Sequence, residues 1–163
     1  MLDLIIKNGQ CYIDGQLKEV NVAIKDGKIY EIGEISDEAK ETINAEGQTV
    51  LPGCIDTQTH FREPGSTDTE DLHSGSRAAI VGGITSVFEM PNTDPLTITP
   101  ETIKDKLLRA SRVAWTDYAF YLGGTGRTGP NLDKWENAPG ICGIKIFMGA
   151  STGELMTASD EEV

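Results

Sequence analysis

The sequence predicts an α/β fold in which a parallel sheet follows a small antiparallel β unit. After position 52, strand-like apolar runs alternate with helical patterns at the spacing of β-α-β units, which is typical of a parallel sheet. Before position 52, short alternating runs are separated by turn signals instead. The chain therefore divides into two predicted segments, 1–51 and 52–163.

The first segment carries the signals of β-hairpins. Asp-Gly pairs at 14–15 and 26–27 stand between apolar runs, and such pairs are strong indicators of a two-residue hairpin turn. Val20, Val22 and Ile24 alternate with Asn21 and Ala23, which indicates a strand with one covered face. We therefore expect a small antiparallel sheet here.

The second segment is predicted to begin with a strand and to continue as alternating helices and strands. Thr69 is the predicted N-cap of the first helix, which is expected to end at Gly82. Ser159 is predicted to begin a further helix near the end of the chain. In chain order the predicted elements are strand "CIDTQ", helix "TEDLHSGSRAAIVGG", strand "ITSVFEM", helix "TPETIKDKLLRASRVA", strand "DYAFYLGG", short helix "NLDKWEN", strand "GIKIFMG" and helix start "TASDEEV".

The helix "TPETIKDKLLRASRVA" has the clearest signals. Thr99 is its predicted N-cap and Pro100 occupies the first helical position. Ile103, Leu107 and Leu108 are expected to form its apolar stripe. A complete (β/α)8 barrel needs about 250 residues, so a barrel would be represented here by its first half.

Composition excludes several classes of function. The 163 residues carry a formal net charge of −12, which argues against binding to a nucleic-acid backbone. No apolar run approaches the roughly 18 residues of a membrane span, and the N-terminus has no signal-peptide pattern. The 3 cysteines are far apart, which fits reduced thiols, and we expect a cytoplasmic protein without membrane or nucleic-acid partners.

Polar residues follow the predicted strands at the point where each strand ends. In parallel α/β folds the carboxyl ends of the strands carry the functional site, so these residues are expected to converge at one edge. They are Asp56, Gln58, His60 and Arg62 after the first strand, Glu89 and Asn92 at the second, and Lys145 within the last.

The chemistry of these residues suggests a site for a metal and a polar substrate. A neutral imidazole such as His60 suits zinc, whereas the amide of Gln58 is a poorer ligand. The guanidinium of Arg62 matches a carboxylate. Lys145 lies between two isoleucines and needs a partner if it faces inward, and a salt bridge to Asp56 or Glu89 is the ordinary alternative to a functional role.

Three motifs together resemble the N-terminal half of a dihydroorotase of the amidohydrolase superfamily. They are "LPGCIDTQTHFREPG", "GSRAAIVGGITSVFEMPNTDP" and "GIKIFMGASTGEL", and they occur in the expected order. The resemblance implies an α/β fold that is the N-terminal half of a (β/α)8 TIM-like barrel, preceded by part of a small β-sandwich. It also implies reversible cyclisation of N-carbamoyl-L-aspartate to dihydroorotate in pyrimidine synthesis.

The resemblance assigns roles to individual residues. His60 and Gln58 match a His-x-His pair that binds Zn²⁺, with glutamine in place of the first histidine. Lys145 matches a catalytic lysine whose carbamate bridges up to two Zn²⁺ ions in many members. Arg62 and Asn92 match the residues that bind the substrate carboxylate.

Two alternatives stay open, and Gln58 motivates the second of them. A related hydantoinase or allantoinase would use the same motifs on another cyclic amide or ureide. A protein without catalytic activity could instead act as a scaffold, for example for aspartate transcarbamoylase, because loss of one histidine weakens zinc binding.

The predicted partners are a small-molecule substrate and a further polypeptide. A half barrel leaves a strand edge unpaired, which favours association. We therefore expect a homo-oligomer or association with the missing C-terminal half, and we expect the 163-residue chain alone to be inactive.

Overall fold

The structure, a computed structural model, describes residues 1–149, 155–157 and 159. The chain divides into two compact units, Met1–Pro52 and Gly53–Val163. The helix predicted to start at Ser159 would extend over 160–163, which lie outside the described residues.

The first unit consists of strands. One sheet has the order β5-β4-β1-β6 and another has the order β3-β2-β7. The expectation of a purely antiparallel unit is wrong, because β1 pairs with β4 antiparallel but with β6 parallel. The strands are β1 (Leu2–Lys7), β2 (Gln10–Ile13), β3 (Gln16–Glu19), β4 (Asn21–Lys25), β5 (Lys28–Gly33), β6 (Ala39–Asn44) and β7 (Thr49–Val50).

The two predicted hairpin turns are confirmed. Asp14 has a φ of 52° and Gly15 a φ of 79°, and this pair joins β2 to β3. The pair at 26–27 joins β4 to β5 in the same way. Positive φ at both central positions is the signature of the type I′ turn that Asp-Gly favours.

The prediction of one covered face on β4 is wrong. Val22 and the neighbouring Ala23 are both buried, although successive side chains point to opposite faces of a strand. Ala23 packs with Leu2 and Ile5 in the core of this unit. Small residues such as alanine carry little periodic signal, so the second covered face was not apparent from the sequence.

The second unit is built around a parallel sheet of order β11-β10-β9-β8, in which each strand lies beside the next one along the chain. This confirms the predicted series of β-α units, and sequential neighbours are the strand order of a barrel. The elements are β8 (Cys54–Thr59), α1 (Leu72–Val81), β9 (Ile84–Glu89), α2 (Pro100–Val113), β10 (Asp117–Gly124), a 3-10 helix (Gly129–Asn131), α3 (Leu132–Trp135) and β11 (Ile141–Ile146).

The helix starts follow from their capping residues. Asp71, and not Thr69 as predicted, is the N-cap of α1, because its carboxylate accepts from the backbone N–H of Ser74 at 2.6 Å. Ser74 also accepts from the N–H of Asp71, which completes a capping box. Thr99 caps α2 as predicted, and Gly82 ends α1.

The core of the second unit lies between the sheet and its helices. The buried stripe of α2 is partly different from the predicted one, since it consists of Ile103, Lys106 and Ala110. Leu107 packs at the edge of the core, whereas Leu108 is 52% exposed. The buried apolar residues of this core are Phe61, Leu72, Val87, Ile103, Ala110, Phe120 and Leu122.

None of the helices in the described ranges is long and apolar enough to cross a membrane.

Candidate active site

The predicted site residues lie where the parallel strands of the second unit end. Thr59 closes β8 and pairs with Glu89, which closes β9. The backbone N–H of Met90 also donates to the Thr59 carbonyl at 3.0 Å, which extends the pairing past the strand ends. The segments after β8 and β9 therefore leave the sheet side by side, and they carry His60, Arg62 and Asn92.

His60 and Asn92 contact each other directly. The Nδ1 atom of His60 lies 2.9 Å from Oδ1 of Asn92. Burial lowers the pKa of His60, and the hydrogen bond to Asn92 opposes this shift. The positive charges of Arg62, Lys145 and Lys106 lower the pKa further. The imidazole is therefore held neutral near pH 7, which is the form that binds metals.

Arg62 has an unusual backbone conformation. Its φ is 59°, in the left-handed region, which costs a residue other than glycine about 1–2 kcal/mol. Such strain persists where surrounding contacts impose it, and it is frequent at functional sites. Arg62 lines a cavity of about 340 Å³, whose other lining residues are Pro64, Ser66, Asn92, Thr93, Asp94 and Leu96.

The segment that carries Asn92 is held by buried hydroxyl groups. Thr93 and Thr97 are both buried, and their Oγ1 atoms lie 2.9 Å apart. The N–H of Thr97 donates to the carbonyl of Pro91 at 3.0 Å, and the N–H of Gly123 in β10 donates to the carbonyl of Thr97. These hydrogen bonds connect the loop after β9 to the end of β10, and they hold the backbone of the segment that carries Asn92.

Lys145 lies in β11 and is half-buried, beside Gly123 of β10. Its Nζ atom lies 5.1 Å from the centre of the Phe147 ring, and its charge acts on His60. The ordinary alternative of a salt bridge to Glu89 is not what the structure describes, because Glu89 pairs with Lys106.

Gln58 differs from the other predicted site residues. It is exposed, and its backbone N–H donates to Oδ1 of Asp56 at 2.9 Å. Asp56 therefore fixes the backbone of β8 two residues before His60. The structure places Gln58 near the end of the strand but gives it no contact with Asn92 or Lys145 among the described interactions.

The predicted metal ligands provide only part of a metal site. Within the described ranges, no three His, Cys, Asp or Glu side chains lie together as a metal site requires. Zinc usually takes about three or four protein ligands. His60 fits this role through Nε2, whereas Gln58 offers a weaker amide oxygen and an unmodified Lys145 ammonium cannot bind a cation. The described residues therefore do not form a complete zinc site.

A buried ion pair beneath the site was not predicted from the sequence. Nζ of Lys106 pairs with Oε2 of Glu89, and each side chain is 1% exposed. The same ammonium donates to the carbonyl of Met90 at 3.3 Å and lies 4.7 Å from the centre of the Phe120 ring. Burial raises the pKa of Glu89 and lowers that of Lys106, while their mutual attraction opposes both shifts.

The sequence position of Lys106 gives an ambiguous signal for this ion pair. Lys106 falls three residues after Ile103 and four before Ala110, on the buried face of α2. A lysine at such a position usually extends to solvent, so burial is apparent only once Glu89 is known to face the helix.

Comparison with known proteins relates part of the chain to a family. The sequence model of the amidohydrolase family matches residues 49–128. These residues are part of an amidohydrolase-family domain. The match starts just before β8 and ends after β10, so it includes His60, Arg62 and Asn92.

The amidohydrolase domain has relatives among cyclic amidohydrolases. Over 149 residues the chain is 41% identical to an allantoinase of Salmonella choleraesuis (strain SC-B67), which covers 90% of this chain and 32% of that protein. Allantoinases of other Salmonella strains match at the same identity, among them that of Salmonella newport (strain SL254).

Solved hydantoinase structures share the fold. The L-hydantoinase (dihydropyrimidinase) of Arthrobacter aurescens superimposes with a TM-score of 0.90 at 35% identity, over 99% of this chain and 37% of that chain. The D-hydantoinase of a Thermus species gives a TM-score of 0.76 at 26% identity, over 98% of this chain and 36% of that one. The chain thus spans about a third of the length of its relatives, and its parallel sheet is part of a TIM barrel, as predicted.

Proposed function

We propose that this chain forms part of an enzyme that hydrolyses a cyclic amide or ureide of the allantoin or hydantoin type. The observation that carries the proposal is the 41% identity to an allantoinase along 149 residues that include the strand ends. The same motifs resemble those of a dihydroorotase, but an allantoinase and a hydantoinase are the relatives that match, so a ring that has no carboxylate is favoured.

His60 is the group proposed to bind zinc. Its proton sits on Nδ1, facing the amide oxygen of Asn92, so the lone pair of Nε2 is available to a cation. Lys145 would contribute only after its amine has added CO₂ to form a carbamate, which has anionic oxygens. A bound zinc supplies Lewis acidity at the carbonyl of the ring amide.

Arg62 and Asn92 are proposed to orient the ring. Both line the 340 Å³ cavity, and both side chains carry polar groups that could bind a ring amide. A guanidinium can donate to a ring carbonyl as well as to a carboxylate, so related motifs could serve different cyclic amides.

The test is a ring-opening assay on the protein made from the complete gene, loaded with Zn²⁺. Allantoin, hydantoin and dihydroorotate are supplied in parallel, and His60→Ala serves as the inactive control. We expect turnover of allantoin or hydantoin, and its loss in the variant. Absence of ring opening for all three compounds at saturating zinc contradicts the proposal.

A non-catalytic scaffold is the second candidate, and Gln58 is the residue that favours it. An exposed amide at this position is a weak substitute for a histidine ligand. Zinc content distinguishes the two, because an enzyme retains stoichiometric metal after gel filtration whereas a scaffold has no need of it.

A further inference from the structure

We propose that Glu63 is a positioning residue that directs Arg62 into the cavity. This inference rests on the proposed function, in which Arg62 contacts the substrate. It concerns how one short segment, 61–64, is attached to the helices behind it.

The residues on both sides of Arg62 are anchored on the helical layer. Phe61 is buried in the core and packs against Gly75 of α1, where a Cβ atom would collide with the phenyl ring. Oε2 of Glu63 accepts from the backbone N–H of Leu72, the first residue of α1, at 2.9 Å. Arg62 is thus the residue between two fixed points.

The carboxylate of Glu63 is engaged from two directions. Besides the N–H of Leu72, the guanidinium of Arg109 on α2 lies 3.7 Å from Oε1 of Glu63. Glu63 therefore connects both helices to the segment after β8. A carboxylate at the N-terminus of α1 is also favoured by the helix dipole.

The segment is fixed on its other side by the loop after β9. The N–H of Asp94 donates to the carbonyl of Pro64 at 2.9 Å. Gly65 approaches the backbone of Asp94 so closely that a Cβ atom would lie 3.0 Å from its nitrogen, and its φ of 123° suits glycine.

These anchors account for the left-handed conformation of Arg62. With Phe61 and Glu63 both attached to the helices, the residue between them takes a φ of 59° and lines the cavity. A strained conformation persists only where its surroundings determine it, and Glu63 is the anchor that supplies charged contacts to two helices. Loss of Glu63 therefore frees Arg62 to return to a relaxed backbone.

The chain offers a matched control. Oδ2 of Asp105 lies 2.7 Å from Nε of Arg109, so Asp105→Asn removes a negative charge beside Arg109 without changing residues 61–64. Glu63→Gln keeps an acceptor for Leu72 but loses the charge. Glu63→Ala removes both contacts.

The experiment measures KM and kcat of the complete protein for the ring substrate that it hydrolyses fastest. We expect Glu63→Ala to raise KM by about tenfold with kcat within about twofold of wild type, because a ground-state contact is lost. Glu63→Gln should show a smaller rise, and Asp105→Asn no change. If Glu63→Ala does not fold, the comparison of Glu63→Gln with Asp105→Asn decides. Equal KM values for the Glu63 and Asp105 variants overturn the proposal.

A second measurement is independent of turnover. In crystal structures of the complete protein, the φ of Arg62 should remain positive in Asp105→Asn. It should become negative in Glu63→Ala. A positive φ in both overturns the positioning role. If wild type opens none of the rings, the proposed function has failed, and this structural comparison still decides the role of Glu63.

Discussion

The imidazole of His60 and the side-chain amide of Asn92 are joined by a hydrogen bond of 2.9 Å between Nδ1 and Oδ1. An amide oxygen can only accept, so the proton of the neutral ring resides on Nδ1 and the lone pair on Nε2. Asn92 therefore selects the tautomer in which His60 can bind a metal through Nε2. This bond connects the ends of β8 and β9, and the proposed metal chemistry depends on it.

The first prediction concerns this bond. Asn92→Ala should lower the zinc affinity of the complete protein by about 10–100-fold, as is usual when the hydrogen-bond partner of a metal-binding histidine is lost. The measurement is competition for Zn²⁺ with a chromophoric chelator. Asn92→Asp keeps an acceptor oxygen and serves as the control. Equal affinities for Asn92→Ala and wild type would show that Asn92 does not orient His60.

A second prediction concerns Gln58. Gln58→His should raise zinc affinity, because an imidazole is a better ligand for zinc than an amide and position 58 lies near the end of β8, two residues before His60. The same chelator competition measures it, with His60→Ala added as a second change. The gain should largely vanish in the double variant. A gain that survives the loss of His60 would mean that the new histidine binds zinc elsewhere.

The third prediction concerns the buried ion pair. Lys106→Met should lower the free energy of unfolding by about 3–5 kcal/mol, because it leaves the carboxylate of Glu89 buried without its partner. Urea unfolding of the protein measures the effect. Combining Lys106→Met with Glu89→Gln should recover much of the loss, since the uncompensated charge is then removed.

Lys104 provides the matched control for that experiment. It lies on the same helix two residues earlier, and it is exposed. Lys104→Met should change the free energy of unfolding by no more than about 0.5 kcal/mol. Similar losses for Lys104→Met and Lys106→Met would contradict the account of the buried pair.

The fourth prediction concerns pH. Burial lowers the folded-state pKa of His60 below the value of about 6.5 that is usual for histidine, so the unfolded chain binds more protons in the interval between the two values. The contribution of His60 to stability is therefore present above pH 6.5 and is lost as the pH falls through the folded-state pKa.

The measurement is urea unfolding of the metal-free protein at about pH 7.5 and about pH 5.5, for wild type and His60→Gln. The loss of stability at the lower pH should be smaller in the variant. His73→Gln, a change at an exposed histidine of α1, is the control. An identical pH dependence in wild type and His60→Gln would show that burial of His60 has no effect on its protonation.

The sequence predicted much of the secondary structure because the signals for it are local. Strand-like runs, the Thr99 cap and the Asp-Gly turns each depend on neighbouring residues, and each is found where expected. The parallel pairing of β1 with β6 was not predicted, because it depends on strands that are distant in the chain. Thr69 was mistaken for the cap of α1 because Asp71 is an equally good capping residue.

The roles proposed for the site residues stay predictions, and the contacts that support these residues were not predicted. Family motifs identified His60, Arg62 and Asn92, whereas the roles of Glu63 and Lys106 depend on tertiary contacts with helices. The amino-acid sequence around Arg62 gives no signal for its left-handed φ. The motifs also do not separate dihydroorotate from other cyclic amides, because these substrates share the amide that reacts.

The most direct test of the account is a crystal structure of the complete protein with zinc, located by its anomalous scattering. The account predicts a zinc ion on Nε2 of His60, with the Lys145 side chain in the same centre and Asn92 on Nδ1. Zinc bound away from His60, or His60 and Lys145 facing separate environments, would contradict it.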